Sequence, residues 1–311
     1  MTNKLKVCVI GIYFGKLPEH FPLWVKSVEA NETIDFILFT DQSVDNAPGN
    51  LQVISSSLED IKLLIEHKLD MEISLERPYK LCEYRPAYMQ IFEDYVASYD
   101  YVGHCDFDML LGDIRAFLEE YHIEEYDKFL PLGHLALYKN SDAVKGAYKL
   151  DGGECSYKEA FTTEKACYFD EFVINDIFRK NGLRLFDNAD VLANINPDFS
   201  FMQLIDSRNH KKQMFYWEDG KVYRAFVDGV DVKTEEYIYI HLPRRKMHFE
   251  METSQEIHGV VISSNAYLIK ESRGVPQGDD IVKYNSYSAI KQFREGYEMQ
   301  NSVKQAIRAL I

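Results

Sequence analysis

The chain is poor in residues that break regular structure. It has 16 glycines and 9 prolines in 311 positions, which excludes collagen-like, low-complexity and disordered scaffolds. Cysteine is scarce too. Cys8, Cys82, Cys105, Cys155 and Cys167 are odd in number and scattered, with no C-x-x-C pair, so neither a disulfide framework nor a zinc ribbon is expected. Positive charge is in deficit, 35 Lys and Arg against 50 Asp and Glu, and the net charge of -15 repels polyanions and argues against nucleic acid as a partner. No run of about eighteen apolar residues is present, and the sequence from Met1 enters a strand without a secretory h-region. With reduced thiols, this reads as a cytoplasmic protein. Gly11-Ile12-Tyr13-Phe14-Gly15-Lys16 falls one residue short of a P-loop, and Leu17 stands where Ser or Thr would hold magnesium. G-x-G-x-x-G after the first strand and G-x-S-x-G are both missing, which disfavours NAD and an α/β-hydrolase elbow.

What is present is a foldable globular chain, 46% hydrophobic and 27% charged, of a length that suits one large α/β domain or a domain with an appended lobe. Aromatic residues reach 14%; such rings fill cores and also line sites for sugars and bases. Leu5 to Ile12 is a nearly continuous apolar run, expected as a doubly buried parallel strand. An amphipathic helix over Leu17 to Ala30 and a second strand over Ile34 to Thr40 complete a βαβ unit. A third strand is expected at Leu51 to Ile54, a helix at Ser57 to His67 capped by Ser57 and Asp60, and a helix at Tyr84 to Ala97 with Pro86 in its first turn. Tyr99 to Cys105 is the next strand. The alternation then loosens into mixed α+β. Short strands at Lys128 to Leu132 and Leu135 to Tyr138, a helix at Phe169 to Asn181, a hairpin turning at Glu218 to Lys221, a strand at Glu235 to Ile240 and a helix from Ser286 to Ile311 are expected.

The strand at Tyr99 to Cys105 delivers Asp106-Phe107-Asp108 at its carboxyl end, where open α/β sheets bind ligands. Two carboxylates one residue apart can face a hard divalent cation, although D-x-D alone reads more readily as an acidic turn. Here apolar neighbours make unpaired carboxylates costly, and a metal would relieve that cost. Lys80, Glu83 and Arg85 open the expected helix at Tyr84, a basic helix start suited to a diphosphate or simply a solvated surface. His241 precedes Arg244, Arg245 and Lys246, an imidazole beside three cations in an acidic protein. Asp170-Glu171 reads as a general base or as a helix N-cap.

The segments Arg77 to Tyr88, Gly103 to Asp108, Gly133-His134-Leu135 and Tyr239 to Leu242 resemble nucleotide-sugar glycosyltransferases of the GT-A fold, and more closely a bacterial family from capsule and lipopolysaccharide loci. The resemblance spans roughly residues 5 to 250. It implies a Rossmann-like, mostly parallel central sheet flanked by helices, with a mixed C-terminal half. The implied domain runs over 1–250, with a donor half over about 1–125, an acceptor half over about 126–250, and an extension over 251–311. It implies Mn²⁺ or Mg²⁺ on Asp106, Asp108 and His241, with Asp106 nearer the donor ribose. Lys80, Glu83 and Arg85 resemble a K-S-D-x-x-R-type segment at the donor sugar and diphosphate, with Cys82 and Glu83 replacing its Ser-Asp. Ile12, Tyr13 and Asp41 would sit by the base, Arg244 and Lys246 by the diphosphate, and Gly133, His134, Asp170 and Glu171 by the acceptor. The implied reaction moves a sugar from a nucleotide sugar, UDP-linked by expectation, to a saccharide or lipid-linked saccharide in surface polysaccharide synthesis. A nucleotidyltransferase and a non-catalytic glycan- or protein-binding module are the competing readings. Lys291, Arg294, Lys304 and Arg308 beside Val303, Ile307, Leu310 and Ile311 read as a peripheral membrane contact or as a packed helix.

Overall fold

A computed structural model describes residues 4–199, 201–205, 207–249, 257–270 and 272–284. The chain divides into two compact units, Met1–Phe107 with Asp113–Ala189, and Asp108–Gly112 with Asp190–Ile311.

The first unit is mixed α/β around a mostly parallel sheet. Its apolar strands β1 (Val7–Tyr13), β2 (Asp35–Thr40), β3 (Leu51–Ser55) and β4 (Tyr101–Cys105) lie in the order β3-β2-β1-β4, all parallel. Leu135–Lys139 then joins antiparallel to β4, followed by Lys128–Phe129 and Leu185–Phe186. The helix Phe21–Glu29 starts with Pro22 in its first turn and buries Trp24 and Val28. At Leu58–Leu69 the Ser57 hydroxyl accepts from the Asp60 amide at 3.1 Å and the Asp60 carboxylate accepts from the Ser57 amide at 2.9 Å, a reciprocal cap.

The second unit is built mainly from antiparallel strands. Gln213–Glu218 and Lys221–Asp228 form the expected hairpin, closed by Asp219 and Gly220, both at positive φ. A separate three-stranded sheet joins Met109–Leu111, Tyr239–His241 and Ala193–Asn194. Met214, Tyr216, Ala225, Val261 and Ile281 form a core beneath the larger sheet.

Several expectations change. The helix foreseen over Tyr84 to Ala97 is a 3₁₀ helix over Pro78–Ala87 followed by single-turn helices at Tyr88–Ile91 and Glu93–Val96, in a segment whose Glu83 and Arg85 answer to partners far along the chain. The helix at Phe169 opens as a π-turn over Phe169–Val173 before becoming α at Ile174–Lys180. The strand foreseen over Glu235 to Ile240 is divided at Ile238, whose amide and carbonyl bond Val191 and Gly112. Cys155 is paired with Cys167 in a disulfide, so the reading of five reduced thiols fails. Cysteine spacing carries no record of which segments the fold brings together. The C-terminal helix foreseen over Ser286 to Ile311, with its cationic and apolar residues, lies outside the described residues.

Phe107 is the middle residue of the acidic motif and is packed into the first unit. Its ring lies 4.8 Å from that of Trp24, 5.2 Å from Tyr13 and 6.2 Å from Phe21. Gly11 makes room for it, since a Cβ there would come within 2.6 Å of Phe107 Cζ. Gly11→Ala should therefore displace this ring and lower stability by about 1–3 kcal/mol, read as a lower denaturant midpoint with the slope retained. A non-reducing peptide map should join Cys155 to Cys167 and leave Cys8, Cys82 and Cys105 as thiols; alkylation of all five in unreduced protein would contradict the pairing.

Candidate active site

In the first unit the strand order places a crevice at the carboxyl ends of β1 and β4, with β2 and β3 on one side and the antiparallel strands on the other. β1 ends at Tyr13 and β4 runs into Asp106. The Asp41 carboxylate, following β2, accepts from the Gly15 amide and the Gln42 side chain, both at 2.9 Å. These bonds, Gln42 first and Gly15 second, hold its pKa below the usual carboxylate range. Ile12 is half-buried, and the Tyr13 hydroxyl donates to the Lys16 carbonyl at 3.2 Å. Ile12, Tyr13 and Asp41 thus lie at the carboxyl ends of β1 and β2, with Ile12 and Tyr13 on opposite faces of the sheet.

Arg85 is the centre of the site. From the 3₁₀ helix its guanidinium pairs with Asp106 through Nη2, and through Nη1 with Asp170 at 3.0 Å and the Gly133 carbonyl at 2.8 Å. The cost foreseen for Asp106 as an unpaired carboxylate is therefore offset by a cation of this chain. Desolvation works against the guanidinium charge, and Asp106 leads the anions that hold it firmly protonated. Asp170 is the most enclosed of the carboxylates. Burial pushes its carboxyl up to about 7 against the pull of Arg85, with Glu171 and Asp106 adding repulsion.

The Gly133 amide donates to Glu171 Oε1 at 3.1 Å, and the His134 carbonyl accepts from the Asp106 amide at 2.8 Å. His134 Nε2 lies 3.9 Å from Glu171 Oε1. Gly133 permits this closeness, because a Cβ there would come 2.5 Å from Asp170 Oδ2. Behind the loop, fully buried Lys128 donates to the Leu130 carbonyl and Asn175 Oδ1, each at 2.8 Å, and Asn175 donates to the Pro131 carbonyl at 2.8 Å. The fold thus brings together Arg85, Asp106, Gly133, His134, Asp170 and Glu171.

Lys80 and Glu83 are turned elsewhere. Lys80 Nζ donates to the Lys165 carbonyl at 2.7 Å, and the buried Glu83 carboxylate accepts from the amides of Cys167, Tyr168 and Phe169 at 2.7, 3.2 and 2.9 Å. Glu83, expected toward a sugar hydroxyl, is committed to this backbone cradle.

In the second unit, Asp108 begins the segment Asp108–Gly112, and its Oδ1 lies 3.2 Å from His241 Nε2. The other ring nitrogen, Nδ1, lies 3.1 Å from Asn194 Oδ1. With Nδ1 donating to that oxygen, Nε2 faces the Asp108 carboxylate, an arrangement satisfied by a proton on Nε2 or by a cation between the two. A buried imidazole held on its far side by an oxygen acceptor is the usual preparation of a metal-binding histidine, so these residues fit a divalent cation. The cations after His241 alternate. Arg245 donates to the Asn196 and Ser264 carbonyls at 2.7 and 2.9 Å, whereas Arg244, 4.0 Å from Asp198, and Lys246 are exposed.

The sequence from Val9 to Glu271 now has a counterpart among families. Residues 9–271 match the family of unknown function DUF6625. The chain belongs to that family. Two of the solved structures similar to this DUF6625 chain are glycosyltransferases. One is the galactosyltransferase LgtC in complex with donor and acceptor sugar analogues, 14% identical, with 63% of this chain and 75% of that chain covered and a TM-score of 0.37. The other is mouse xyloside xylosyltransferase 1 in its apo form, 7% identical, with coverages of 62% and 88% and a TM-score of 0.36. No curated protein matches the sequence. Among the described residues of the DUF6625 chain, no helix is long and apolar enough to cross a membrane.

Sequence reasoning missed Asn194, Asn175 and Lys128. Each sits in a short polar-apolar run with no motif; strand pairing brings Asn194 to His241, and the packing of the helix Ile174–Lys180 brings Asn175 to Lys128. Asp170 carries the pH prediction. The folded carboxyl keeps its proton to about 7 while an unfolded one releases it near 3.8, so the folded state binds more protons in that window and stability falls as pH rises through it. Asp170→Asn should flatten this limb of a melting-temperature series run from about pH 4 to 8; an unchanged slope would assign the dependence to other groups.

Proposed function

We propose that this chain is a divalent-cation-dependent glycosyltransferase of the GT-A type, moving a sugar from a UDP-linked donor to a saccharide or lipid-linked saccharide in bacterial surface polysaccharide synthesis. The observation that carries this reading is the buried Arg85 pairing Asp106, first carboxylate of the D-x-D at the carboxyl end of β4, with Asp170. A donor half over about 1–125, an acceptor half over about 126–250 and a cytoplasmic setting belong to the same proposal.

In this reading Asp106, Asp108 and His241 hold Mn²⁺ or Mg²⁺. Asp106 and Asp108 are two residues apart, so their Cα atoms are no more than about 7 Å apart. The cation, when bound, offsets the negative charge on the departing nucleoside diphosphate. Ile12, Tyr13 and Asp41 meet the base, and Arg85, Arg244 and Lys246 supply positive charge toward the phosphates, while Lys80 stays on the Lys165 carbonyl. Gly133 and His134 face the acceptor. The acceptor hydroxyl oxygen bonds the anomeric carbon as the bond to the diphosphate oxygen breaks, and the hydroxyl proton passes to the Asp170–Glu171 pair. A carboxyl at about 7 is poised to exchange a proton near neutral pH. Arg85 keeps both that carboxyl and Asp106 aimed.

A thermal-shift series tests the donor site. UDP with Mn²⁺ should raise the melting temperature of the wild type, and Asp108→Ala should abolish that rise. No rise with UDP, GDP or CMP, with or without Mn²⁺, would favour a binding module on this fold. Asp170→Ala and Glu171→Ala should each be assayed for turnover; values within a few-fold of wild type in both would remove the pair as base.

A further inference from the structure

Among the described residues, the three most exposed aromatic rings are Tyr79 at 80%, Phe172 at 61% and Tyr168 at 58%. All three belong to the segments that carry Arg85 and Asp170. Tyr79 stands on the 3₁₀ helix Pro78–Ala87, Tyr168 directly precedes the π-turn, and Phe172 lies within it. The Tyr168 and Phe172 rings meet edge to face with centroids 6.2 Å apart. The helix that carries Tyr79 is tied to the loop that carries Tyr168, because Lys80 next to Tyr79 donates to the Lys165 carbonyl at 2.7 Å and Glu83 accepts from the amides of Cys167, Tyr168 and Phe169.

The exposure is built in. The Val173 amide reaches back to the Tyr168 carbonyl at 3.4 Å, the five-residue spacing of a π-turn, with Phe169 and Asp170 buried and Phe172 left outside. Tyr168 holds φ at +54°, a conformation disfavoured for a side chain of its size, and the Glu83 carboxylate retains it there by accepting from its amide and from both neighbouring amides.

We infer that Tyr79, Tyr168 and Phe172 form an aromatic platform that stacks a pyranose ring of an uncharged saccharide, whose hydroxyl edge meets the Asp106, Asp170 and Glu171 carboxylates. A sugar ring has an apolar C–H face and a rim of hydroxyls, and the site offers ring faces bordered by acceptors. The charge nearby disfavours an anionic headgroup. Asp170 and Glu171 share the π-turn with Phe172, and the exposed cations Arg77 and Lys165 are paired with Glu164 at 3.7 Å and Glu159 at 2.8 Å. Naming this saccharide an acceptor rests on the transferase reading; binding it does not.

The test is saturation-transfer NMR on the full chain, without nucleotide or metal, using methyl β-D-glucopyranoside, methyl β-D-galactopyranoside and methyl α-D-mannopyranoside. Transfer to the ring C–H protons of at least one glycoside is expected. Tyr168→Ala or Phe172→Ala should weaken that binding by roughly three- to tenfold, while Phe172→Trp retains it. Because the rings are exposed, unchanged circular dichroism melting should accompany the truncations. Absence of transfer to all three glycosides overturns the inference, as does binding unchanged in a Tyr79→Ala, Tyr168→Ala, Phe172→Ala variant. Co-sedimentation with phosphatidylglycerol–phosphatidylcholine vesicles that the triple variant abolishes, without glycoside binding, overturns it in favour of a lipid surface. A Mn²⁺-UDP thermal shift on the same samples separates the two readings. Saccharide binding without that shift sinks the transferase reading and keeps the platform; the shift without saccharide binding does the reverse.

Discussion

The guanidinium of Arg85 is the interaction on which the rest of the site depends. It takes two carboxylates, Asp106 and Asp170, and one carbonyl, Gly133, from three segments far apart in the chain. Taking one partner out of such a buried pairing costs about 3–5 kcal/mol, because a buried charge is left uncompensated. With Arg85 in place, the end of β4, the π-turn and the Gly133 loop share one geometry. The planar fork of arginine can address both carboxylates at once, as the ammonium of a lysine could not in the same way.

Around this centre, charged groups hold backbone. Glu83 gathers three amides of the 167–169 loop, and Lys128 gathers carbonyls beneath the 130–133 loop. Both loops lead directly to residues that face the crevice, Asp170 from one side and Gly133 from the other. The acidic motif is held by packing instead, with the Phe107 ring seated among Tyr13, Phe21 and Trp24. In the second unit the Asn194 oxygen performs the equivalent service for His241. The segments that carry Gly133, Asp170 and His241 are thus held by Lys128, Glu83 and Asn194, which pre-organises them.

Much of the first unit was legible because its strands are apolar on both faces. A run such as Val7 to Ile12 has few alternatives to a doubly covered parallel strand, and the capping pair Ser57 and Asp60 announces a helix through bonds that form locally. The hairpin at Asp219-Gly220 was legible for the same reason, since few residues other than glycine adopt the required backbone readily. Asp106 and Asp108 stood out because they follow such a strand. Local rules failed where a residue answered to a distant partner. The Pro78–Ala87 segment has helical composition but is 3₁₀, and Cys155 and Cys167 carry no spacing that predicts their pairing.

The sequence by itself determined the α/β character of the first unit, the strand that ends in the acidic motif and the acidic balance of the whole chain, all set by composition and short-range periodicity. The tertiary structure alone decided that Arg85 meets Asp106 and Asp170, that Glu83 turns inward, and that Tyr79, Tyr168 and Phe172 stay exposed beside the same carboxylates. The physical reason is range. Strand and turn preferences act over a few residues, whereas ion pairing, burial and ring exposure depend on which segments the folded sheet brings into contact across roughly twenty to eighty-five positions of chain.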